Sequence, residues 1–464
     1  MLTVFPLIYF AVIIGAGVSA RRRVADTADF YLARRSAGVW LVTGSLVATI
    51  FGAFATMGVS GMAYRDGLVA GWYLWGGALG LIALGAWGLR RLDIRDVYTL
   101  PELLGRGYGL AVRRVAATLI AVSWISLIAA QLIALGKIVR FMVAQAGWGN
   151  PTFIVIVSAG VVALTCYGGQ RAVLRTDCVQ ALFIVVGLAA LLVGAFVAKP
   201  DALSGLEGGA LRLPFNSAMP PAKWLSVMMT FGVPFLVGPD IYSRLFSGRG
   251  REAARVSVLL TAALMVPLAF MIVLAGVLAR AILGGGLSDD NVAILDLSRL
   301  ALPPVWGGLL VAGLLAAVMS TANTCLLTVS TLVSRDLLDT WRSRPLEGKA
   351  AVNQGRWIVL AAGAASLLVA LYKQDIVAAL MNCYKVYSPA VLCPFLAMLI
   401  FPGRRFSAIA GSTAVLAGGA CALAGILLKS EALQLLAFAA SAIPLAAIGS
   451  ARIASRAASR SHMS

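Results

Sequence analysis

Leu46-Val-Ala48-Thr49-Ile50-Phe51-Gly52-Ala53-Phe54-Ala55-Thr56-Met57-Gly58-Val-Ser60-Gly61 sits in an apolar run long enough to cross a bilayer, yet its glycines cluster at mid-depth and beyond. A second interrupted run, Thr230-Phe-Gly232-Val-Pro234-Phe-Leu-Val-Gly238-Pro239-Asp240, carries two prolines and two glycines. Along the chain these are the second and seventh apolar runs, five apart. Helix breakers at corresponding positions of two five-helix halves point to an inverted-repeat carrier whose binding site lies between the halves. Unwound backbone at membrane depth frees carbonyl oxygens, which must then meet a cation, a solute or water. Either run alone also reads as small residues that let helices pack closely. The matched spacing favours the broken-helix reading.

A bilayer core needs about 20 apolar residues per helix. Such runs lie near 2–20, 37–63, 67–89, 115–136, 151–167, 178–198, 224–243, 256–279, 304–334, 357–372, 376–402, 406–428 and 432–451, so about thirteen spans are expected in an all-α polytopic membrane protein. The run 2–20 lacks a basic n-region and a small-residue cleavage site, and reads as a retained helix rather than a signal peptide. Of the 464 residues 60% are hydrophobic and 12% charged, which places the chain in lipid rather than water. The net charge of +19 falls between apolar runs, which is membrane topology and not a nucleic-acid face. The six cysteines show no metal-ligand spacing, and the single histidine, His462, stands near the end. Histidine-based triads, metal sites and proton relays are thereby disfavoured, and no enzyme activity is expected.

Alternate loops hold most of the arginines: Arg21–Arg23 with Arg34 and Arg35, then Arg90, Arg91, Arg95, Arg106, Arg113 and Arg114, then Arg171 and Arg175, and then Arg244–Arg255. The positive-inside rule puts that side in the cytoplasm, with the N-terminus outside and the C-terminus inside a cell (inner) membrane. The outer connections near 199–223 and 280–303 are expected to hold short surface helices. Lys137 and Arg140 read as snorkelling toward the outer interface.

Three polar features interrupt the spans. Ser320, Thr321, Asn323 and Thr324 crowd about a turn and a half of the ninth run, offering oxygen ligands to a hard cation or hydroxyls bonded back to their own helix. Asp177, at the mouth of the sixth run, is either functional or paired with nearby Arg175 or Arg171. Lys385, beside Tyr384 and Tyr387, reads as internally paired, as a partner for a solute carboxylate, or as a group for proton coupling.

Several motifs, in this order, resemble the sodium:solute symporter family, relatives of the sodium-coupled sugar, proline and sialic acid carriers. They are Phe30-Tyr31-Leu32-Ala33-Arg34-Arg35-Ser36, Met57-Gly58-Val-Ser60-Gly61-Met-Ala63-Tyr64, Thr99-Leu100-Pro101-Glu102-Leu103-Leu104 and Gly168 through Asp177. Asp240-Ile-Tyr-Ser-Arg244 with Glu252-Ala-Ala-Arg255, Met319-Ser320-Thr321-Ala322 and Ser334-Arg335-Asp336-Leu337 complete the set. The resemblance implies a five-plus-five inverted repeat of the amino-acid-transporter (LeuT-like) type. A leading helix and loop would occupy 1–36, the core 37–402, and two trailing helices with a basic tail 403–464, forming a single transporter domain.

It also implies a sodium site at the carbonyls of Ala48, Phe51 and Ala317 and the hydroxyls of Ser320 and Thr321. A second ion, or an ion exit, would involve Asp177, Asn323 and Thr324. Solute-pocket candidates are Phe54, Trp72, Tyr73, Trp75, Tyr384, Lys385 and Tyr387. A sugar would leave its hydroxyls unpaired among Ile50, Gly52, Ala53, Phe54 and Ala55, so an organic acid or amino acid is expected instead. The resulting expectation is a sodium-coupled importer working by alternating access, with Na+ as coupling ion and no organic cofactor. Its partners would be the solute, sodium and the bilayer, and no nucleic acid. A proton-coupled carrier of the same fold and a non-transporting membrane sensor are the alternatives.

Overall fold

Helix breakers and caps place the segments before any tertiary contact does. The computed structural model describes residues 26–144, 152–206, 208–372 and 375–461. These are 83% helical. Asp26 caps α1 (Thr27–Leu32) by accepting the Asp29 amide. After α2 (Val39–Ile50) the helical ladder stops with Phe51 N–H donating to Val47 O at 3.0 Å. The chain then turns through 51–53 and resumes as α3 (Phe54–Asp66) at 53° to α2, so the first glycine-rich run is broken where the sequence indicated.

α4 (Leu68–Arg91) leads to α5 (Leu100–Tyr108), whose start is a capping box. Thr99 Oγ1 accepts the Glu102 amide at 3.1 Å while Glu102 Oε2 accepts the Tyr98 amide at 2.8 Å. The Thr99–Leu104 motif thus earns its place by nucleating a helix. α6 (Leu110–Ala144) is followed by α7 (Thr152–Ala198), two limbs joined at Gly169 with φ of 60°. Only a residue without Cβ sits there easily, because Phe30 also packs against that point.

α8 (Pro221–Leu245) carries Pro234 inside it and is interrupted at Gly238, which adopts φ −70° and ψ 114° just before Pro239. Then come α9 (Arg251–Leu283), α10 (Ala293–Ala301), α11 (Pro304–Trp341), α12 (Gly348–Tyr372), α13 (Ile376–Ile400), α14 (Ala408–Leu427) and α15 (Glu431–Ser461).

Among the described residues nine helices are long and apolar enough to cross a membrane, or ten with α2 and α3 as one bent span. The other expected runs are 2–20, which lies outside the described residues, 151–167, which forms the first limb of α7, and 432–451, whose apolar helix Glu431–Ala447 is shorter. α11 is the most buried of these spans and packs along α7. Trp40, Val122, Leu182, Val193 and Leu368 are exposed, the outward apolar belt of a protein solvated by lipid.

Span ends rich in arginine meet on one face. Arg35 donates to Val97 O at 2.8 Å, Arg91 to Leu399 O at 3.1 Å, Arg249 to Ser36 O at 2.8 Å, and Arg113 pairs with buried Asp336 at 2.7 Å. On the opposite face Lys137 does not simply snorkel: it pairs with Asp289 at 2.6 Å. The connection 284–303 holds α10 and a short 3-10 turn, as expected of a surface element, whereas the described part of 199–220 is turns without a helix.

Candidate functional site

The break after α2 lies against the middle of α11. Thr321 Oγ1, buried, donates to Thr49 O at 2.7 Å and to Ala317 O at 3.0 Å. Ala48, Phe51, Ala317 and Ser320 are fully buried beside it. Among the described residues no Gly52 amide closes onto Ala48 O, and the Ala53 amide turns instead to Gln131 Oε1 at 2.9 Å. The Thr321 hydroxyl thus meets carbonyl oxygens of two helices, neutral oxygen donors of the kind that suits an alkali cation, while the Ser320 hydroxyl beside it turns to the Asp177 carboxylate. The approach depends on Gly52, where a Cβ would meet Thr321 Oγ1 directly and Gln131 Oε1 at 2.9 Å.

Asp177 is not paired with Arg175 or Arg171. Its carboxylate sits 3.3 Å from Arg244 Nη2, with both side chains fully buried. Asp177 Oδ1 accepts from Ser320 Oγ at 2.6 Å, and Oδ2 also accepts from Ser45 Oγ. Arg244 donates to Ser45 Oγ at 3.0 Å, to Gln170 Oε1 at 3.3 Å and to Thr324 Oγ1. Each charge is thus compensated by several hydrogen bonds, the condition under which a buried pair is tolerated. Thr324 Oγ1 also bonds back to Ser320 O at 2.8 Å, while Asn323 faces away from this cluster and accepts from Thr165 at 2.7 Å. The residues suggested for a second ion are therefore divided: Asp177 and Thr324 surround Arg244, and Asn323 does not join them.

Between the broken helices lies a narrow cavity of about 30 Å³. Phe54, Tyr73, Phe231, Phe235 and Tyr384 give it aromatic walls, while Thr49, Gln131, Asp240 and Thr321 supply polar groups. Phe54 stacks on Phe231 with ring centroids 5.1 Å apart, and Tyr73 meets Phe231 edge-on at 4.9 Å. Of the sequence candidates Phe54, Tyr73 and Tyr384 line this cavity.

Lys385 does not; it lines a neighbouring cavity of about 100 Å³ with Lys223, Thr230, Ser388, Glu431 and Gln434, and Tyr73, Phe231 and Tyr384 form the wall between the two. It makes no ion pair among the described residues, so internal pairing is not what holds it. Tyr387 is buried behind, donating to Pro234 O at 3.3 Å. Trp72 and Trp75 are partly exposed and turn outward, donating to Pro214 O and Val266 O.

Sequence reasoning passed over three residues. Gln131 was signalled by its being a lone amide in an otherwise apolar run. Asp240 and Arg244 stood in a quoted motif, but their roles depend on what α7 and α11 bring to them.

Comparison with known proteins identifies the family and the fold. The model of the sodium:solute symporter family matches residues 30–406. A sodium/glucose cotransporter of Vibrio parahaemolyticus is 25% identical over 78% of this chain and 73% of its own length. A sodium/pantothenate symporter of Escherichia coli is 26% identical over 80% of this chain and 79% of its own. The solved structure of a Na+-coupled sialic acid symporter, in a substrate-bound outward-open state, superposes with a TM-score of 0.80 at 16% identity, covering 96% of each chain. Its likeness establishes the fold. The chain is a multi-pass membrane transporter, not an enzyme, and it belongs to the sodium:solute symporter family.

Proposed function

We propose that this protein imports a small, partly apolar organic solute together with sodium, by alternating access across the cell (inner) membrane. The arginine-rich face is cytoplasmic and the N-terminus outside. Residues 37–402 form the moving core of a single transporter domain, flanked by a leading helix and loop in 1–36 and two trailing helices with a basic tail in 403–464.

The observation that carries this reading is the meeting of Thr321 Oγ1 on α11 with Thr49 O at the end of α2, beside the Ala317 carbonyl of its own helix. Sodium binds at the carbonyls of Ala48, Phe51 and Ala317 and the hydroxyls of Ser320 and Thr321. Because α2 and α11 would belong to different moving parts, an ion between them shifts the balance of states by its differential affinity. The membrane potential contributes about 2.3 kcal/mol per charge per 100 mV, enough for roughly fiftyfold accumulation with one sodium. We infer one sodium per cycle: Arg244 already supplies the positive charge beside Asp177. The solute occupies the aromatic cavity, whose apolar walls disfavour a sugar.

Thermal unfolding of the detergent-purified protein, as sodium replaces potassium at constant ionic strength, tests this. A sodium-specific rise in Tm that Ser320→Ala/Thr321→Ala removes is expected. No sodium effect, together with uptake driven by a pH gradient, would replace sodium by proton coupling; no uptake under either gradient would point to a sensor.

A further inference from the structure

We propose that the transported solute carries a positively charged nitrogen, which the Asp240 carboxylate holds inside the aromatic cavity; this rests on the symport reading above. Asp240 follows the Gly238–Pro239 break in α8, and it is the one charged side chain among the described residues lining the cavity. It forms no ion pair within 4 Å among the described residues. Its own amide and that of Ile241 lie against the carboxylate, and Arg244 is one turn further along.

Arg244 acts on Asp240 only through its charge, one turn away, and its side-chain hydrogen bonds go elsewhere. The guanidinium points into the Asp177, Ser45, Gln170 and Thr324 cluster, and none of the side chain is exposed. The cavity is therefore lined by a carboxylate that no cation among the described residues pairs with directly. A carboxylate there is costly unless a cation or water meets it.

The rest of the lining suits an organic cation. Phe54, Tyr73, Phe231, Phe235 and Tyr384 surround the cavity, and aromatic ring faces attract ammonium groups most strongly when water is excluded. Gln131 supplies a polar contact for the remainder of the molecule. The residue suited to an anion, Lys385, lies beyond the Tyr73, Phe231 and Tyr384 wall in the neighbouring cavity. Amines, quaternary ammonium compounds and amino acids meet these demands; a simple organic acid does not. The cavity of about 30 Å³ holds no more than a water-sized group, so Phe54 and Phe231, whose stacked rings line it, must part to admit any of them.

The test is a thermal-shift panel on the full-length protein in saturating sodium. Benzylamine, benzyltrimethylammonium, glycine betaine and the common amino acids supply cationic nitrogen; benzoate, phenylacetate and benzyl alcohol are the anionic and neutral counterparts. At least one nitrogen cation is expected to raise Tm where its carboxylate and alcohol counterparts do not. Asp240→Asn should weaken its half-saturation by about tenfold or more while the sodium-induced rise persists. Stabilisation by carboxylates or alcohol only, or by no nitrogen cation at all, would overturn the proposal. Unchanged affinity in Asp240→Asn would do the same, as would a shift of the sodium midpoint in place of the solute's, which would make Asp240 an ion ligand. The wild-type charge preference needs no variant, so an unfolded Asp240→Asn chain leaves the test standing. A wild-type protein indifferent to sodium would count against the symport reading, whereas a sodium response without a preference for nitrogen cations would count against this inference alone.

Discussion

Arg244 and Asp177 lie 3.3 Å apart with neither side chain exposed, and between them they join four helices. Arg244 belongs to α8, Asp177 to α7, and their hydroxyl partners Ser45 and Ser320 to α2 and α11. Removing either charge leaves the other buried and unpaired, which costs about 3–5 kcal/mol. Asp177→Asn and Arg244→Gln should each lower unfolding stability by about that much. The double substitution should lose less than the sum, because it leaves no stranded charge. Denaturation of all three variants in detergent measures the coupling.

Gly52→Ala should weaken the sodium response more than it weakens the fold. The added methyl would press on Thr321 Oγ1 and Gln131 Oε1, the oxygens that flank the break. Overpacking of this kind costs about 1–3 kcal/mol, and here it falls on the proposed ion ligand. Sodium titration of Tm should show a raised midpoint or no response, while the protein still purifies as a folded species.

Gln131 accepts the Ala53 amide at the point where the α2 ladder has ended. Gln131→Leu removes that acceptor, leaving a buried amide unsatisfied at a cost of about 1–3 kcal/mol. Gln131→Glu keeps an acceptor and should retain more stability. A ranking of wild type, then Glu, then Leu in thermal unfolding is expected.

The Lys137–Asp289 pair should make stability depend on pH at the acid end. Partial burial works against the Asp289 carboxylate, but hydrogen bonds from Lys137 and Asn291 prevail and hold its pKa below the ordinary value. A lowered folded-state pKa means that the contribution is complete above the unfolded value of about 3.9 and is lost as pH falls through the folded one. The side chains are partly exposed, so the contribution is at most about 1 kcal/mol. Wild type and Asp289→Asn should therefore differ in Tm at pH 7 and pH 5, and converge only as the pH falls through the lowered folded-state pKa.

Lys385→Met should leave the sodium midpoint and the affinity of any solute bound in the aromatic cavity within about twofold of wild type. Lys385 lines the neighbouring cavity and touches neither site. Titrations of Tm with sodium and with a stabilising solute measure both values.

The sequence by itself determined the membrane class, the positions of the breaks and the identity of the family. Those signals are local: apolar runs of bilayer length, glycine and proline that cannot sustain a helix, and motifs in a family's order. The break after Ile50 and the extended Gly238 occur where their residues demand, since backbone sterics act within a few positions of the chain. Only the tertiary structure decided the partners. Asp177 had two arginines within six residues, yet pairs with Arg244, 67 positions away, because the packing of α8 against α2 and α11 delivers a guanidinium to that depth. Lys385 and Asp240 show the same limit from opposite sides. Both lie in apolar runs, and the rotation of each helix about its axis, set by packing, sends Asp240 into the aromatic cavity and Lys385 into its neighbour. Hydropathy records that a charge is buried; which space it faces depends on neighbours far away in the chain.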